Sequence, residues 1–190
     1  MNAVDPAVLR KSRLKLLLVA SVFAAPFVLA MVLTLTGWQP AAKGNGLPIT
    51  PQRNFAQEQL PVRMADGSLW AWRDSEPRLT LVALPGPDCA ARCYAALTAM
   101  AKSRVMLNGN QSRLRLLYVG TPPADPQRRA AMANYWQLGT DTDDKLAPWR
   151  PRQLDSVGAL LVESDGTALA SYPPGFDASG LLRDLKKVIK

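Results

Sequence analysis

Residues 16–35 pass without a single charged side chain, and nothing else in the chain restricts its fold so strongly. A helix rising about 1.5 Å per residue crosses a hydrocarbon core of about 30 Å in that length, so the stretch reads as a membrane span. It exceeds the apolar core of about 7 to 15 residues usual in a cleaved signal, which favours an uncleaved anchor. Pro26 falls in mid-span, where membrane helices tolerate a kink. Arg10, Lys11, Arg13 and Lys15 precede the span with only Asp5 opposing them, and Lys43 is the first charge beyond it. That asymmetry places the N-terminus in the cytoplasm and the remainder outside. Gly37-Trp38-Gln39-Pro40 supplies an aromatic anchor at the far interface. The expected organisation is a cytoplasmic basic segment over 1–15, a transmembrane helix over 16–37, a linker over 38–53 and one extracytoplasmic domain over 54–190. The last part, about 135 residues, has room for one core and no second domain.

The formal charge of +8 divides into +3 before the span and +5 after it. Basic residues in the outer part are scattered, which describes a solvated surface and argues against a nucleic-acid partner. The chain has no histidine. Ser-His and Cys-His nucleophilic pairs, histidine-ligated zinc or haem iron, and an imidazole base are all excluded. Sulfur, carboxylate and amine chemistry remain. Asp141, Asp143 and Asp144 lack the glycine and distal glutamate of a calcium loop and read as a solvated loop. The sequence shows no Gly-rich phosphate loop and no repeat.

Periodicity orders the outer domain. Val62-Arg63-Met64 and Leu69-Trp70-Ala71-Trp72 flank Asp66-Gly67 as a hairpin. Residues 79–84 are almost continuously apolar, as in a strand buried on both faces in the middle of a sheet. Asp88 is placed to cap a helix carrying Tyr94, Leu97, Thr98, Ala101 and Val105 at helical spacing, stopped by Asn108-Gly109-Asn110. A second buried strand covers 114–119, and Asp125-Pro126 opens a helix expected to run to about residue 138. Residues 158–162 and 168–172 form a second hairpin around Asp165-Gly166. A last helix starts at Asp177 with Leu181, Leu182, Leu185, Val188 and Ile189 on one face. The order is β-α-β-α-β-β-α behind an N-terminal hairpin, an α/β class.

Two cysteines stand together as Cys89-Ala90-Ala91-Arg92-Cys93, at the first strand-to-helix junction. Within a continuous helix residues i and i+4 hold their Cβ atoms about 5 to 6 Å apart, whereas a disulfide needs about 3.8 Å. Cys89 must therefore lie at or before the helix start if the two are to bond. There, free amide groups, the helix dipole and Arg92 are expected to favour its thiolate, making Cys89 the attacking thiol and Cys93 its resolving partner. Two thiolates also suit a soft metal such as Cu(I), with Met64, Met100, Met106 or Met132 as a third donor, although methionine at helical spacing usually fills a core. A disulfide that only braces the bend is the third reading. It closes too short a loop to remove much chain entropy. Trp149, in Pro148-Trp149-Arg150-Pro151, either lines a partner surface near the cysteines or anchors its loop by packing.

The arrangement of strands and helices with Cys89 and Cys93 resembles the thioredoxin-like fold. More narrowly it is similar to the Sco/SenC family of membrane-anchored proteins that assist cytochrome c oxidase copper insertion. The resemblance lies in Asn54-Phe55, Met64-Ala65-Asp66-Gly67, the Cys-x-x-x-Cys pair, Asp125-Pro126-Gln127-Arg128 and Glu163-Ser164-Asp165-Gly166, and it covers roughly residues 55–189. It implies a thioredoxin-like domain in the periplasm, held at a bacterial inner membrane by one span. Its implied work is oxidase maturation through Cys89 and Cys93, as a thiol reductant or a weak Cu(I) carrier. The implied partner is an oxidase subunit or another assembly factor. The family's copper-ligating histidine would fall near Asp155 or Ser156, where this chain has none. A general extracytoplasmic thiol-disulfide oxidoreductase and a non-catalytic assembly factor with a structural bridge are the alternatives.

Overall fold

The uncharged apolar stretch, interrupted only by Pro26, lies within one long helix, α1 (Pro6–Leu35), in a computed structural model that describes residues 6–35 and 44–189. Its two hydroxyl side chains within the apolar stretch bond back to their own helix. Ser21 Oγ donates to the Leu18 carbonyl and Thr34 Oγ1 to the Ala30 carbonyl, each at 2.8 Å, which leaves no hydroxyl proton unmatched on an apolar surface. The interfacial segment Gly37-Trp38-Gln39-Pro40 and the first part of the expected linker, 38–43, lie outside the described residues.

Residues 44–190 form a separate unit built on a seven-stranded sheet. Its strands are β1 (Leu47–Pro48), β2 (Val62–Met64), β3 (Leu79–Pro85), β4 (Leu114–Val119), β5 (Gln137–Asp141), β6 (Val157–Val162) and β7 (Ala168–Tyr172). They lie in the order β1-β7-β6-β3-β4-β5-β2, with β3, β4 and β5 parallel and the other pairings antiparallel. Every residue of β3 is buried, as the apolar run at 79–84 required, and β3 occupies the centre of the sheet.

Two-residue alternation sorts the strand side chains onto two faces. Leu81, Ala83, Leu116, Tyr118, Ala159 and Leu161 point to a core shared with three helices, α2 (Ala91–Val105), α3 (Pro126–Ala133) and α4 (Ala178–Val188). Val82, Leu84, Leu117, Val119, Leu160 and Val162 face a second core closed by Phe55, Leu60, Trp72 and Leu146. The N-terminal segment thus does on one face what helices do on the other. Asp125 caps α3 through the Gln127 amide at 2.9 Å, and Asp177 caps α4 through the Ser179 and Gly180 amides, as their sequence positions indicated.

Four expectations are corrected. Residues 69–72 do not form a second strand. The hairpin is cut short: Leu69 bridges Arg63, the Met64 amide donates to the Ser68 carbonyl and the Trp70 amide to the Val62 carbonyl, both at 2.8 Å. Pairing stops there because Trp72 turns inward, donates its indole N–H to the Leu60 carbonyl at 2.7 Å and packs edge-on against Phe55. The helix opened by Asp125-Pro126 ends at Ala133, and residues 137–141 become the parallel strand β5. Asp141 is no member of a solvated loop: its side chain is fully buried and accepts from the Leu146 amide at 2.7 Å, while Asp143 and Asp144 are exposed. Residues 44–53, expected in the linker, pack on the folded unit. Leu47 and Pro48 pair with β7, and the Arg53 carbonyl accepts from the Ala168 amide at 2.9 Å.

Candidate functional site

The central strand β3 ends at Pro85 and the chain turns through Gly86, Pro87 and Asp88 before α2 begins. This turn is tight for a steric reason. A Cβ on Gly86 would sit 2.3 Å from the Gln153 carbonyl oxygen and 3.0 Å from Ser156 Oγ. The Gly86 amide donates to the Ser156 carbonyl at 2.9 Å, and Ser156 Oγ donates to the Gln153 carbonyl at 2.6 Å. The loop preceding β6 is thereby locked against the turn that carries the cysteines.

Cys89 lies two residues ahead of α2 and Cys93 is the third residue within it, so the pair brackets the helix start as the geometry of a bond demands. The two are joined in a disulfide, with their Cα atoms 5.1 Å apart. Cys93 is buried, 1% exposed, whereas Cys89 is half-buried at the edge of the helix-side core. The two cysteines are therefore unequal: Cys89 is partly open to solvent and Cys93 is enclosed.

Asp88 does not cap α2. The N-cap residue is Ala90, which has no side-chain acceptor, and the cap comes from Asp155, 62 and 63 residues away along the chain. One oxygen of Asp155 accepts from the Cys93 amide and the other from the Arg92 amide, both at 2.9 Å. The Arg92 side chain, 81% exposed, closes on the same carboxylate with Nε at 3.4 Å. The Cys93 amide, then the Arg92 amide, hold the Asp155 carboxyl below its usual range, so it is ionised at neutral pH. The amides and the cation expected to favour a Cys89 thiolate are thus already engaged by a carboxylate. No capping motif marks Asp155; among the sequence signals, the Sco/SenC resemblance alone pointed to this loop, near residues 155 and 156.

Trp149 anchors its loop on the opposite face of the sheet. Its ring meets Phe55 edge-on at 5.6 Å and lies under the Arg53 guanidinium at 5.1 Å. Residues 153–156, not Trp149, approach the cysteines. The donor set is a poor fit to copper. Met100 and Met132 are buried in the helix-side core, Met106 follows the last turn of α2, and Met64 lies on β2 at the edge of the sheet. Two sulfurs bonded to each other and a hard carboxylate occupied by amides provide no third soft ligand.

No curated protein matches the sequence. Among solved structures the chain is similar to apo Sco1 from Thermus thermophilus, at 12% identity and a TM-score of 0.51, covering 79% of this chain and 99% of that one. BsSco, described as a member of the Sco family of cytochrome c oxidase assembly proteins, gives 14% identity and 0.49 over 80% and 99%. The pneumococcal exposed lipoprotein thioredoxin Etrx1 from Streptococcus pneumoniae gives 14% and 0.47 over 67% and 97%. At these identities the likeness concerns the fold alone. A family model described as transmembrane-like, thioredoxin-like, C-terminal domain matches residues 79–190, from the central strand through the cysteine pair to the last helix. By that match over more than half of its length, the chain belongs to the family of transmembrane-like, thioredoxin-like C-terminal domains.

Proposed function

We propose that the protein is a membrane-anchored thiol-disulfide exchange protein whose folded unit works outside the cytoplasm. The observation that carries this reading is the asymmetry of the pair: Cys89 is accessible, Cys93 is buried behind it, and both stand at the end of the central strand of a thioredoxin-like sheet. Exchange needs that order. A partner thiolate attacks Cys89, Cys93 leaves, and on the return path Cys93 resolves the mixed disulfide. A bridge serving only to brace the bend has no use for an accessible sulfur, and its short loop contributes little.

The basic residues before α1 support an orientation with the N-terminus in the cytoplasm, and an oxidising compartment outside suits a disulfide. With that orientation, the Sco/SenC resemblance supports a periplasmic place at a bacterial inner membrane. The Cys-x-x-x-Cys spacing, shared by resemblance with the Sco/SenC family, supports a role in oxidase maturation, with a cysteine pair of an oxidase subunit or assembly factor as partner. The test is a trap in cells. Cys93→Ser, which leaves Cys89 without its resolving thiol, accumulates mixed disulfides with that partner, while Cys89→Ser accumulates none. Absence of any mixed disulfide with Cys93→Ser sinks exchange. A trapped partner unrelated to the oxidase removes the maturation role and leaves general exchange.

A further inference from the structure

Amide groups at a helix start ordinarily serve a nearby thiolate, and in this protein a carboxylate occupies them. We propose that Asp155 is a positioning residue that biases the Cys89–Cys93 pair toward the disulfide, by fixing a negative charge on the Arg92 and Cys93 amides. The proposal rests on the exchange reading. Three observations hold the charge in place: both carboxylate oxygens are bonded at 2.9 Å, the side chain is only 18% exposed, and the loop is pinned to Gly86. Arg92 offsets the charge only in part, because its own side chain is 81% exposed and screened by water.

Reduction by a dithiol shows where the charge acts. A reagent thiolate attacks Cys89 Sγ, the bond to Cys93 breaks, and Cys93 departs with the electron pair and takes up a proton. The second reagent thiol, as thiolate, then attacks its own mixed sulfur. A cyclic reagent disulfide forms and Cys89 is released and protonated. Two electrons and two protons have moved from the reagent to the pair. The disulfide carries no charge, whereas the reduced pair gains stability when a sulfur stays ionised on free amides at the helix start. Asp155 holds those amides with its own charge, so the ionised form is denied and both sulfurs end protonated. The carboxylate therefore opposes reduction, and the reduced protein gives up its electrons the more readily.

Asp155 has φ +49°, a conformation that asparagine and glycine adopt with least strain, so two neutral replacements suit the backbone. The full chain in detergent micelles is equilibrated with dithiothreitol redox buffers at pH 7, and the disulfide fraction is read by alkylation mass shift. D155N and D155G are expected to move the equilibrium roughly tenfold or more toward the dithiol, about 30 mV upward for a two-electron couple. D155E, which keeps the charge, is expected to stay within about threefold of the unaltered chain. Melting curves separate this from plain capping: D155N retains an acceptor for the amides and D155G does not, so capping alone lowers the midpoint of D155G and leaves both potentials unchanged. Unchanged potentials in the two neutral variants, or a downward shift, overturn the role of Asp155 while exchange stands. Failure of the unaltered chain to exchange with dithiothreitol overturns both.

Discussion

Exposure, rather than a favoured thiolate, orders the two cysteines. Cys93 is 1% exposed and Cys89 is half-buried, so after reduction Cys89 is expected to react with iodoacetamide on the order of tenfold faster, read by peptide mass spectrometry over time. Equal and slow reaction at both positions contradicts exchange. With two sulfurs and no imidazole, the reduced protein is expected to hold Cu(I) weakly and Cu(II) hardly at all, since Cu(II) prefers nitrogen and oxygen donors in tetragonal geometry. A chelator competition that reveals a tight Cu(II) site would show a ligand set other than Cys89 and Cys93. At this scale the sequence displayed the pair and its place at a strand-to-helix junction. It concealed the residue that caps the helix. Asp88 is adjacent and of the right type, and capping preferences are local. Asp155 acts across the fold, from a loop that carries no capping signature, although the Sco/SenC resemblance puts a site position of that family near residues 155 and 156.

The elements that place the site were legible in proportion to their burial. β3, β4 and β6 carry apolar runs because both faces are covered, and α3 and α4 begin at an Asp that visibly caps them. β5 was hidden because Met132, Tyr135 and Trp136 continue a helical spacing, while Gln137-Leu138-Gly139-Thr140-Asp141 is mostly polar and is held by pairing with β4 and β2. One close fit between elements is the Gly86 turn against the loop before β6. Gly86→Ala would bring a methyl to 2.3 Å from the Gln153 carbonyl, and backbone must give way. The variant is expected to lose about 1 to 3 kcal/mol by overpacking, measured by chemical denaturation. Displacing that loop also displaces Asp155, so the cysteine potential is expected to rise with it. A variant as stable as the unaltered chain would show that the loop is not locked to the turn.

At the scale of the whole folded unit, its first residues are tied to its last helix by one carboxylate. Asp184 accepts from the Asn45 amide at 2.6 Å, the Gly46 amide at 3.2 Å, the Asn45 side chain at 3.0 Å, the Tyr172 hydroxyl at 3.2 Å and Lys187 at 3.3 Å. Burial alone would raise its pKa, but the donors from Asn45, Gly46 and Lys187 outweigh burial and hold it below the usual range. A carboxyl whose pKa is lower folded than unfolded contributes stability that is fully present above its unfolded pKa of about 3.9. That contribution disappears as the pH falls through the folded value. Asp184→Asn keeps the shape and removes the charge, so at neutral pH it is expected to cost about 1 to 3 kcal/mol. Below about pH 4 the difference between the two proteins should shrink, because the unaltered carboxyl is then being protonated as well. Denaturation of both proteins between pH 7 and pH 3 makes the comparison, and a gap that stays constant over that range would show that Asp184 stabilises the unit through shape alone.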